Sequence, residues 1–129
     1  MKILIVDDSG GTRNALRIGL TSFGYDVITA SGGEEALGIL AQTLHGHEQP
    51  DLLLTDFKMP KMSGLQLIDS ARALNPKLPV ILMTGYGDKA LRMRTQGLDR
   101  FAYLEKPFQP EKLVKIIRRL DEAESESPG

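Results

Sequence analysis

The sequence predicts an α/β fold in which helices cover both faces of a parallel sheet. Short apolar runs recur five times along the 129 residues, and a segment with helical periodicity follows each of them. Three of the runs are almost continuous in Ile, Leu and Val, which is typical of strands buried on both faces of a parallel sheet. A chain of this length suits one domain with a full-sized core.

The five predicted strands differ in how continuous their apolar residues are. The first, third and fourth runs, "ILIV", "LLLT" and "VILMT", contain almost no polar residue, whereas "YDVITA" alternates more. The alternating run is therefore expected at an edge of the sheet, where one face is less covered. In chain order the runs are Ile3–Val6, Tyr25–Ala30, Leu52–Thr55, Val80–Thr84 and Phe101–Leu104.

Apolar residues spaced three or four apart predict the helices between these strands. Gly24 is expected to end the first helix, and Ser63 and Pro110 to begin the third and fifth. The fourth, 88–96, has few apolar residues and many basic ones. The apolar faces are Leu16, Leu20 and Phe23, then Ala36, Leu37, Leu40, Ala41 and Leu44, then Leu67, Ile68, Ala71 and Leu74, and finally Leu113, Ile116, Ile117 and Leu120.

Composition excludes several classes of protein. The net charge of about −1 provides no overall basic field for nucleic acid or an anionic membrane, and the absence of cysteine excludes disulfides and thiolate chemistry. The apolar runs are too short to span a membrane, and "MKILIVDD" is too short and acidic for a signal peptide. We expect a cytoplasmic protein with one domain over 1–121 and an acidic disordered tail or linker stub over 122–129.

Polar side chains follow four of the predicted strands at the points where they end. The first strand is followed by Asp7 and Asp8, the third by Asp56, the fourth ends with Thr84, and Lys106 follows the fifth. In open α/β sheets, ligands bind outside the carboxyl ends of the strands. We therefore expect these three carboxylates, the hydroxyl and the ammonium group to lie along one edge of the sheet.

The chemistry of this set indicates an aspartate that accepts a phosphoryl group. Three clustered carboxylates repel one another and raise each other's pKa, and a hard divalent cation relieves that repulsion. Oxygen ligands with room for water favour Mg²⁺ or Mn²⁺. The lysine and the hydroxyl would complete the surroundings that a dianionic phosphoryl group needs on a carboxylate.

Four motifs, "VDDS", "TDFKMPKMSG", "LMTGYGD" and "LEKPF", resemble those of the receiver domains of response regulators in two-component signalling. They occur in the family's order and spacing, and the resemblance covers the whole chain up to the tail. It implies a flavodoxin-like, doubly wound sheet of five parallel strands in the order 2-1-3-4-5, with helices on both faces.

The resemblance also implies a role for each residue around the acidic cluster. Asp56 would take a phosphoryl group from the phosphohistidine of a histidine kinase or a phosphotransfer protein. Asp8 would bind Mg²⁺ (or Mn²⁺) directly, Asp7 mainly through water, and the backbone carbonyl of Lys58 would be a further ligand. Gly64 would end the turn after the phosphorylated strand.

A second group of residues would convert phosphorylation into a conformational change. Lys106 would pair with Asp56 and then with the phosphoryl oxygens, aimed by a cis bond to Pro107. Thr84 would hydrogen-bond the phosphoryl group, and Tyr103 would rotate inward after it. By the same resemblance, this would change the surface formed by the fourth helix, the last strand and the fifth helix.

Side chains two residues after the phosphorylated aspartate and two after the switch threonine would tune the lifetime of the phosphoryl group. These positions are Lys58 and Tyr86. The resemblance implies a signalling phosphoacceptor rather than an enzyme, with at most weak self-phosphorylation from small donors and autodephosphorylation. The kinase, the downstream partner and any output domain are not identified by these residues.

Two alternatives stay open from the residues alone. An aspartyl phosphatase or phosphotransferase of the haloacid-dehalogenase type would also use an aspartate and Mg²⁺ on an α/β sheet. It would carry a general acid two residues after its nucleophile, where this chain has Lys58. A pseudo-receiver that binds a partner without taking phosphate is the second alternative, and the complete set of acidic, hydroxyl and lysine residues argues against it.

Overall fold

The structure is a computed structural model that describes residues 1–85 and 89–126, with only the backbone described for 123–126. Within these residues, strands and helices alternate from the beginning to the end of the chain. In order they are β1 Lys2–Val6, α1 Gly10–Ser22, β2 Asp26–Ala30, α2 Gly33–Thr43, β3 Leu52–Asp56, α3 Gly64–Leu74, β4 Val80–Thr84, α4 Lys89–Arg94, β5 Phe101–Glu105 and α5 Pro110–Glu126.

The strands form one parallel sheet in the order β2-β1-β3-β4-β5. The predicted flavodoxin-like fold and its strand order are therefore confirmed, as is the edge position of β2. The winding changes direction between β1 and β3, and the carboxyl ends of these strands lie next to each other. Such a point is where doubly wound sheets bind their ligands.

The core consists of two apolar layers, one on each face of the sheet. Ile3 and Ile5 of β1 lie in the layer that α1 and α5 cover, whereas Leu4 and Val6 lie in the layer that α2 and α3 cover. Because successive side chains of a strand point to opposite faces, β1 can be apolar throughout. Burying each of these side chains contributes about 1.5–3 kcal/mol, which makes the central strands a rigid support for the residues at their carboxyl ends.

The first and fourth helices differ in detail from the predicted ones. Phe23 comes directly after the last residue of α1 and is 42% exposed, although it was expected on the apolar face. Its backbone N–H bonds to the carbonyl of Leu20 and ends the helix, so Phe23 lies outside the last turn of α1. The helix α4 covers only Lys89–Arg94 and has one buried apolar residue, Leu91. The start expected at Asp88 lies outside the described residues.

The helix α5 continues to Glu126 and thus includes part of the segment 122–129 that was expected to be an acidic disordered tail or linker stub. No described helix combines the length and the apolar character that crossing a membrane would need.

At the amino end of the sheet, Arg72 of α3 joins the beginnings of β4 and β5. Its guanidinium group donates to the carbonyl oxygens of Leu78, Asp99 and Arg100 at 2.7–3.3 Å. The Asp99 carboxylate lies 3.7 Å from Arg72. Because a rigid guanidinium fork can satisfy several acceptors at once, one side chain fixes the segment that leads into β5.

Candidate functional site

Three carboxylates meet at the carboxyl ends of β1 and β3. One oxygen from each of Asp7, Asp8 and Asp56 lies within 4.8 Å of the others. The three side chains differ in exposure, since Asp7 is buried, Asp56 is half-buried and Asp8 is exposed. The sheet thus brings together the acidic residues that the sequence placed at separate strand ends.

Asp7 is 1% exposed and is held by groups at the start of α1. Its Oδ1 accepts a 2.9 Å hydrogen bond from the N–H of Ser9, whose side chain caps α1. The guanidinium group of Arg13 donates to the Asp7 carbonyl oxygen at 2.7 Å. The other carboxylate oxygen, Oδ2, is buried and has no hydrogen-bond partner among the described residues.

The Asp56 carboxylate lies between a backbone donor and a lysine. Its Oδ1 accepts a 3.0 Å bond from the N–H of Phe57 and lies 3.1 Å from Nζ of Lys106. Burial raises the pKa of Asp56, and the charge of Asp7 raises it further, while the hydrogen bond and charge of Lys106 lower it. The net direction is upward, because the desolvation of the carboxylate outweighs the lysine.

Lys106 connects this cluster to the end of β4. Its ammonium group lies 3.6 Å from Oδ2 of Asp7, in addition to its contact with Asp56. Its backbone N–H donates a 2.8 Å bond to the carbonyl oxygen of Thr84, and the bond to Pro107 is cis. One residue therefore contacts both central carboxylates through its side chain and the fourth strand through its backbone.

The loop after Asp56 passes so close to α3 that Gly64 has no room for a side chain. The N–H of Gly64 donates to the carbonyl oxygen of Phe57 at 2.8 Å. A Cβ at this position would overlap the Asp56 carbonyl oxygen and would lie 2.9 Å from Cδ1 of Leu82. Ser63 caps α3 in a reciprocal arrangement with Gln66. The backbone that carries Asp56 is thereby fixed in place.

Thr84 and Tyr103 lie on neighbouring strands, and Thr84 is the nearer of the two to the carboxyl end of its strand. Thr84 is 3% exposed and is the last residue of β4. Tyr103 lies beside Leu82, two residues before the end of β5, and its hydroxyl donates a 3.0 Å bond to the carbonyl oxygen of Leu91 in α4. The Tyr103 hydroxyl therefore joins β5 to the fourth helix.

Neither of the two residues expected to tune the phosphoryl lifetime is held in place by a described contact with the acidic cluster. Lys58 is exposed in the loop after β3, and its side chain has no ion pair among the described residues. Tyr86 lies outside the described residues. Arg13, in contrast, was not singled out from the sequence, because nothing in the spacing of α1 shows that its side chain reaches back to Asp7.

The cluster fits a hard divalent cation. It offers only carboxylate oxygens, which are the ligands that Mg²⁺ and Mn²⁺ prefer. Within the part of the chain that the structure describes, the buried Oδ2 of Asp7 accepts no hydrogen bond and has only the Lys106 ammonium group at 3.6 Å, so a cation beside it would lower the cost of its burial. Lys106 supplies one positive charge against three negative ones.

Comparison with known proteins agrees with this geometry. The model of the response regulator receiver domain family matches residues 3–118. A probable transcriptional regulator, ycf27, of Guillardia theta is 39% identical over 91% of this chain and 44% of its own length. The response regulator MprA of Mycobacterium avium is 37% identical over 97% of this chain and 56% of its own length.

Solved structures show the same fold. A receiver domain protein from Clostridium thermocellum has a TM-score of 0.87 and 30% identity, with 96% of each chain covered. The chemotaxis protein CheY4 of Vibrio cholerae has a TM-score of 0.80 and 30% identity, with 92% of this chain and 97% of that chain covered.

The chain belongs to the receiver domain family of two-component response regulators. It is thus a signalling module. The receiver family accounts for the clustered aspartates, so the haloacid-dehalogenase alternative is not pursued. The chain spans about half the length of the first curated relatives that it matches.

Proposed function

We propose that this receiver domain takes a phosphoryl group on Asp56 from a phosphohistidine. The observation that carries the proposal is the position of the Asp56 carboxylate. It lies 3.1 Å from the Lys106 ammonium group, within a cluster of three carboxylates at the reversal point of the sheet. A carboxylate needs such surroundings to accept further negative charge.

In the reaction, a carboxylate oxygen of Asp56 attacks the phosphorus atom. An oxygen–phosphorus bond forms while the nitrogen–phosphorus bond to the donor histidine breaks, and the leaving imidazole takes up a proton. Lys106 moves from the carboxylate to the phosphoryl oxygens and offsets their charge. The Phe57 N–H keeps the carboxylate oriented, and the packing of Gly64 keeps the loop from retreating.

Asp7, Asp8, Asp56 and the backbone carbonyl of Lys58 would hold Mg²⁺ or Mn²⁺, with Asp8 as a direct ligand and Asp7 acting mainly through water. When bound, the cation would neutralise charge on the phosphoryl oxygens during transfer. The fit rests on the oxygen-only donor set and on the buried, unsatisfied Oδ2 of Asp7.

The output of this reaction is a change in the surface formed by α4, β5 and α5. Thr84 would bond to the phosphoryl group, and the space that it leaves would accept the ring of Tyr103. Both residues lie on the strands that support this surface. A phosphoryl group can shift this equilibrium only through contacts that differ between two arrangements, and these two side chains provide them.

The partners implied by this reaction are a histidine kinase or a phosphotransfer protein upstream and an output domain or protein downstream, in the cytoplasm. The receiver domain would occupy 1–121. The longer curated relatives include transcriptional regulators, which supports an output domain joined to this chain or acting separately. The chain would act as a phosphoacceptor with at most weak self-phosphorylation and autodephosphorylation.

Acetyl phosphate and Mg²⁺ provide the test. The intact protein should gain the mass of one phosphoryl group, and Asp56→Asn should abolish the gain. Asp69→Asn is the matched control, because Asp69 is an exposed aspartate of α3. A wild-type protein that neither forms the adduct nor binds beryllofluoride would be a pseudo-receiver, and an adduct that persists in Asp56→Asn would assign the reaction to another residue.

A further inference from the structure

The helix α4 and the strand β5 are joined by a cluster of four residues, Leu91, Arg92, Tyr103 and Glu105, which we call the α4–β5 clamp. The Tyr103 hydroxyl donates to the Leu91 carbonyl oxygen at 3.0 Å. The guanidinium carbon of Arg92 lies 5.4 Å from the centre of the Tyr103 ring, and the same guanidinium group forms an ion pair with Glu105. Arg92 thus contacts two residues on one face of β5, since every second residue of a strand shares a face.

The clamp ends next to the acidic cluster. Glu105 pairs with Thr84 in the register of β4 and β5, and it immediately precedes Lys106. Lys106 in turn bonds to the Thr84 carbonyl oxygen through its N–H and lies 3.1 Å from Asp56 through its side chain. The Arg92 side chain of α4 therefore contacts Glu105, which lies beside Thr84 and directly before Lys106.

We propose that Arg92 is a positioning residue that holds Tyr103 against α4 and opposes the inward movement of its ring. This inference rests on the proposed function of Asp56. A ring that moved toward Thr84 would lose its bond to the Leu91 carbonyl and would leave its place beneath the Arg92 guanidinium group. Removing Arg92 therefore weakens only the outward arrangement, and the equilibrium shifts toward the inward one.

The strength of the clamp is suited to adjusting an equilibrium rather than fixing it. The side chains of Arg92 and Glu105 are 53% and 32% exposed, so water and salt screen their attraction. The cation–π contact, which the inward movement of the ring would break, corresponds to about a two- to fivefold change in an equilibrium constant. We expect the removal of Arg92 to change the affinity for a phosphoryl mimic by this factor.

The experiment is a titration of the full chain with beryllofluoride in the presence of Mg²⁺, monitored by the NMR signals of the Tyr103 ring. Arg92→Met should bind beryllofluoride about two- to fivefold more tightly than the wild type. Glu105→Gln should shift the affinity in the same direction by less, because it keeps the ring contact. Arg92→Lys should lie nearer the wild type, since it retains the charge.

Arg94→Met is the matched control, because Arg94 is an exposed arginine of the same helix with no ion pair among the described residues. An affinity of Arg92→Met that equals or falls below that of the wild type would overturn the inference. So would an equal increase in Arg94→Met, which would indicate a general effect of charge. A merely structural role would lower the melting temperature of Arg92→Met without moving the Tyr103 ring signals or the affinity.

The outcomes also separate this inference from the function on which it rests. If the wild-type protein neither gains a phosphoryl group on Asp56 nor binds beryllofluoride, the proposed function fails and Arg92 has no movement of Tyr103 to oppose. If the adduct forms on Asp56 but Arg92→Met and Arg94→Met bind beryllofluoride alike, only the role of Arg92 fails.

Discussion

The N–H of Lys106 donates a 2.8 Å hydrogen bond to the carbonyl oxygen of Thr84, which joins the ends of β5 and β4 beside the acidic cluster. The bond uses backbone atoms only, so it survives a change of the lysine side chain. The side chain makes separate contacts with Asp7 and Asp56. A substitution of the lysine side chain therefore tests the role of its charge, while the backbone bond between β4 and β5 stays in place.

We expect Lys106→Ala to fold normally and to accept some phosphoryl group from acetyl phosphate, but to transmit little of the change to α4 and β5. The ammonium group moves in response to the added charge, and alanine has no group that can do so. Mass measurement reports the adduct, and backbone NMR shifts between Thr84 and Lys106 report transmission. Lys115→Ala, an exposed lysine of α5, is the control. Wild-type shifts in phosphorylated Lys106→Ala would refute the coupling role.

Binding of Mg²⁺ should weaken as the pH falls, because protonated carboxylates are poor metal ligands. The raised pKa of Asp56 means that this loss begins above the usual titration range of an aspartate. Calorimetric titration at several pH values provides the measurement. Asp8→Ala should remove binding, whereas Asp69→Ala should leave it intact. An unchanged Mg²⁺ titration in Asp8→Ala would exclude that residue as a ligand.

Replacing Gly64 by alanine should destabilise the protein by about 2–4 kcal/mol, because the new methyl group overlaps backbone that cannot move freely. Gly38→Ala is the matched control at an exposed position in α2 with no atom within 4 Å of the added carbon. That change should stabilise by about 0.5–1 kcal/mol, since alanine favours a helix. Chemical denaturation measures both, and equal effects would contradict the close approach at Gly64.

The stability of the protein should depend on the charge of Asp56. Because burial raises the pKa of Asp56 in the folded state, the folded protein binds this proton more tightly than the unfolded chain. The resulting stabilisation is present below the unfolded pKa and is lost as the pH rises through the folded pKa. Asparagine does not titrate, so the unfolding free energy of Asp56→Asn should increase relative to that of the wild type as the pH rises through the titration of Asp56 in the folded protein.

Denaturation of both proteins across this range gives the comparison, with Asp69→Asn as an exposed control. A relative stability of Asp56→Asn that decreases with pH would mean that the attraction of Lys106 outweighs the cost of burial.

The lifetime of the phosphoryl group should depend on Lys58 and Tyr86. A bulky side chain at position 86 would shield the acyl phosphate from water, and Lys58 could pair with a phosphoryl oxygen. Lys58→Ala and Tyr86→Ala should each alter the rate at which the phosphorylated protein loses phosphate. Lys61→Ala tests for a general loss of charge in the same loop, and wild-type rates in both test variants would remove these residues from that role.

The fold was predictable because its strands are unusually uniform. The apolar residues of "LLLT" and "VILMT" are buried on both faces, so their pattern identifies a parallel sheet before any contact is known. The acidic cluster was predictable by the same reasoning, since parallel strands end at one edge. Gly64 was expected to end a turn, but the overlap that excludes a side chain there depends on the distance between the loop and α3.

The contacts of long side chains could not be predicted in this way. Arg92 and Arg94 look equivalent in the sequence, yet only Arg92 lies over the Tyr103 ring. Which arginine does so depends on the rotation of a short helix that has one buried apolar residue, Leu91. The end of α5 is a second example. Its last residues are acidic and have no apolar stripe, so the sequence did not predict that they continue the helix.

The bonds of Arg72 to the carbonyl oxygens of Asp99 and Arg100 fix the segment that follows α4. The segment after the helix is attached to α3, which belongs to the rigid core, while the segment before it begins directly after Thr84. Because the segment after α4 is fixed, a movement of the helix would pivot about its carboxyl-terminal end. We therefore expect any displacement of α4 to be smallest near Asp99 and to grow toward Lys89. A small shift at Thr84 would then move the amino-terminal end of α4 the most.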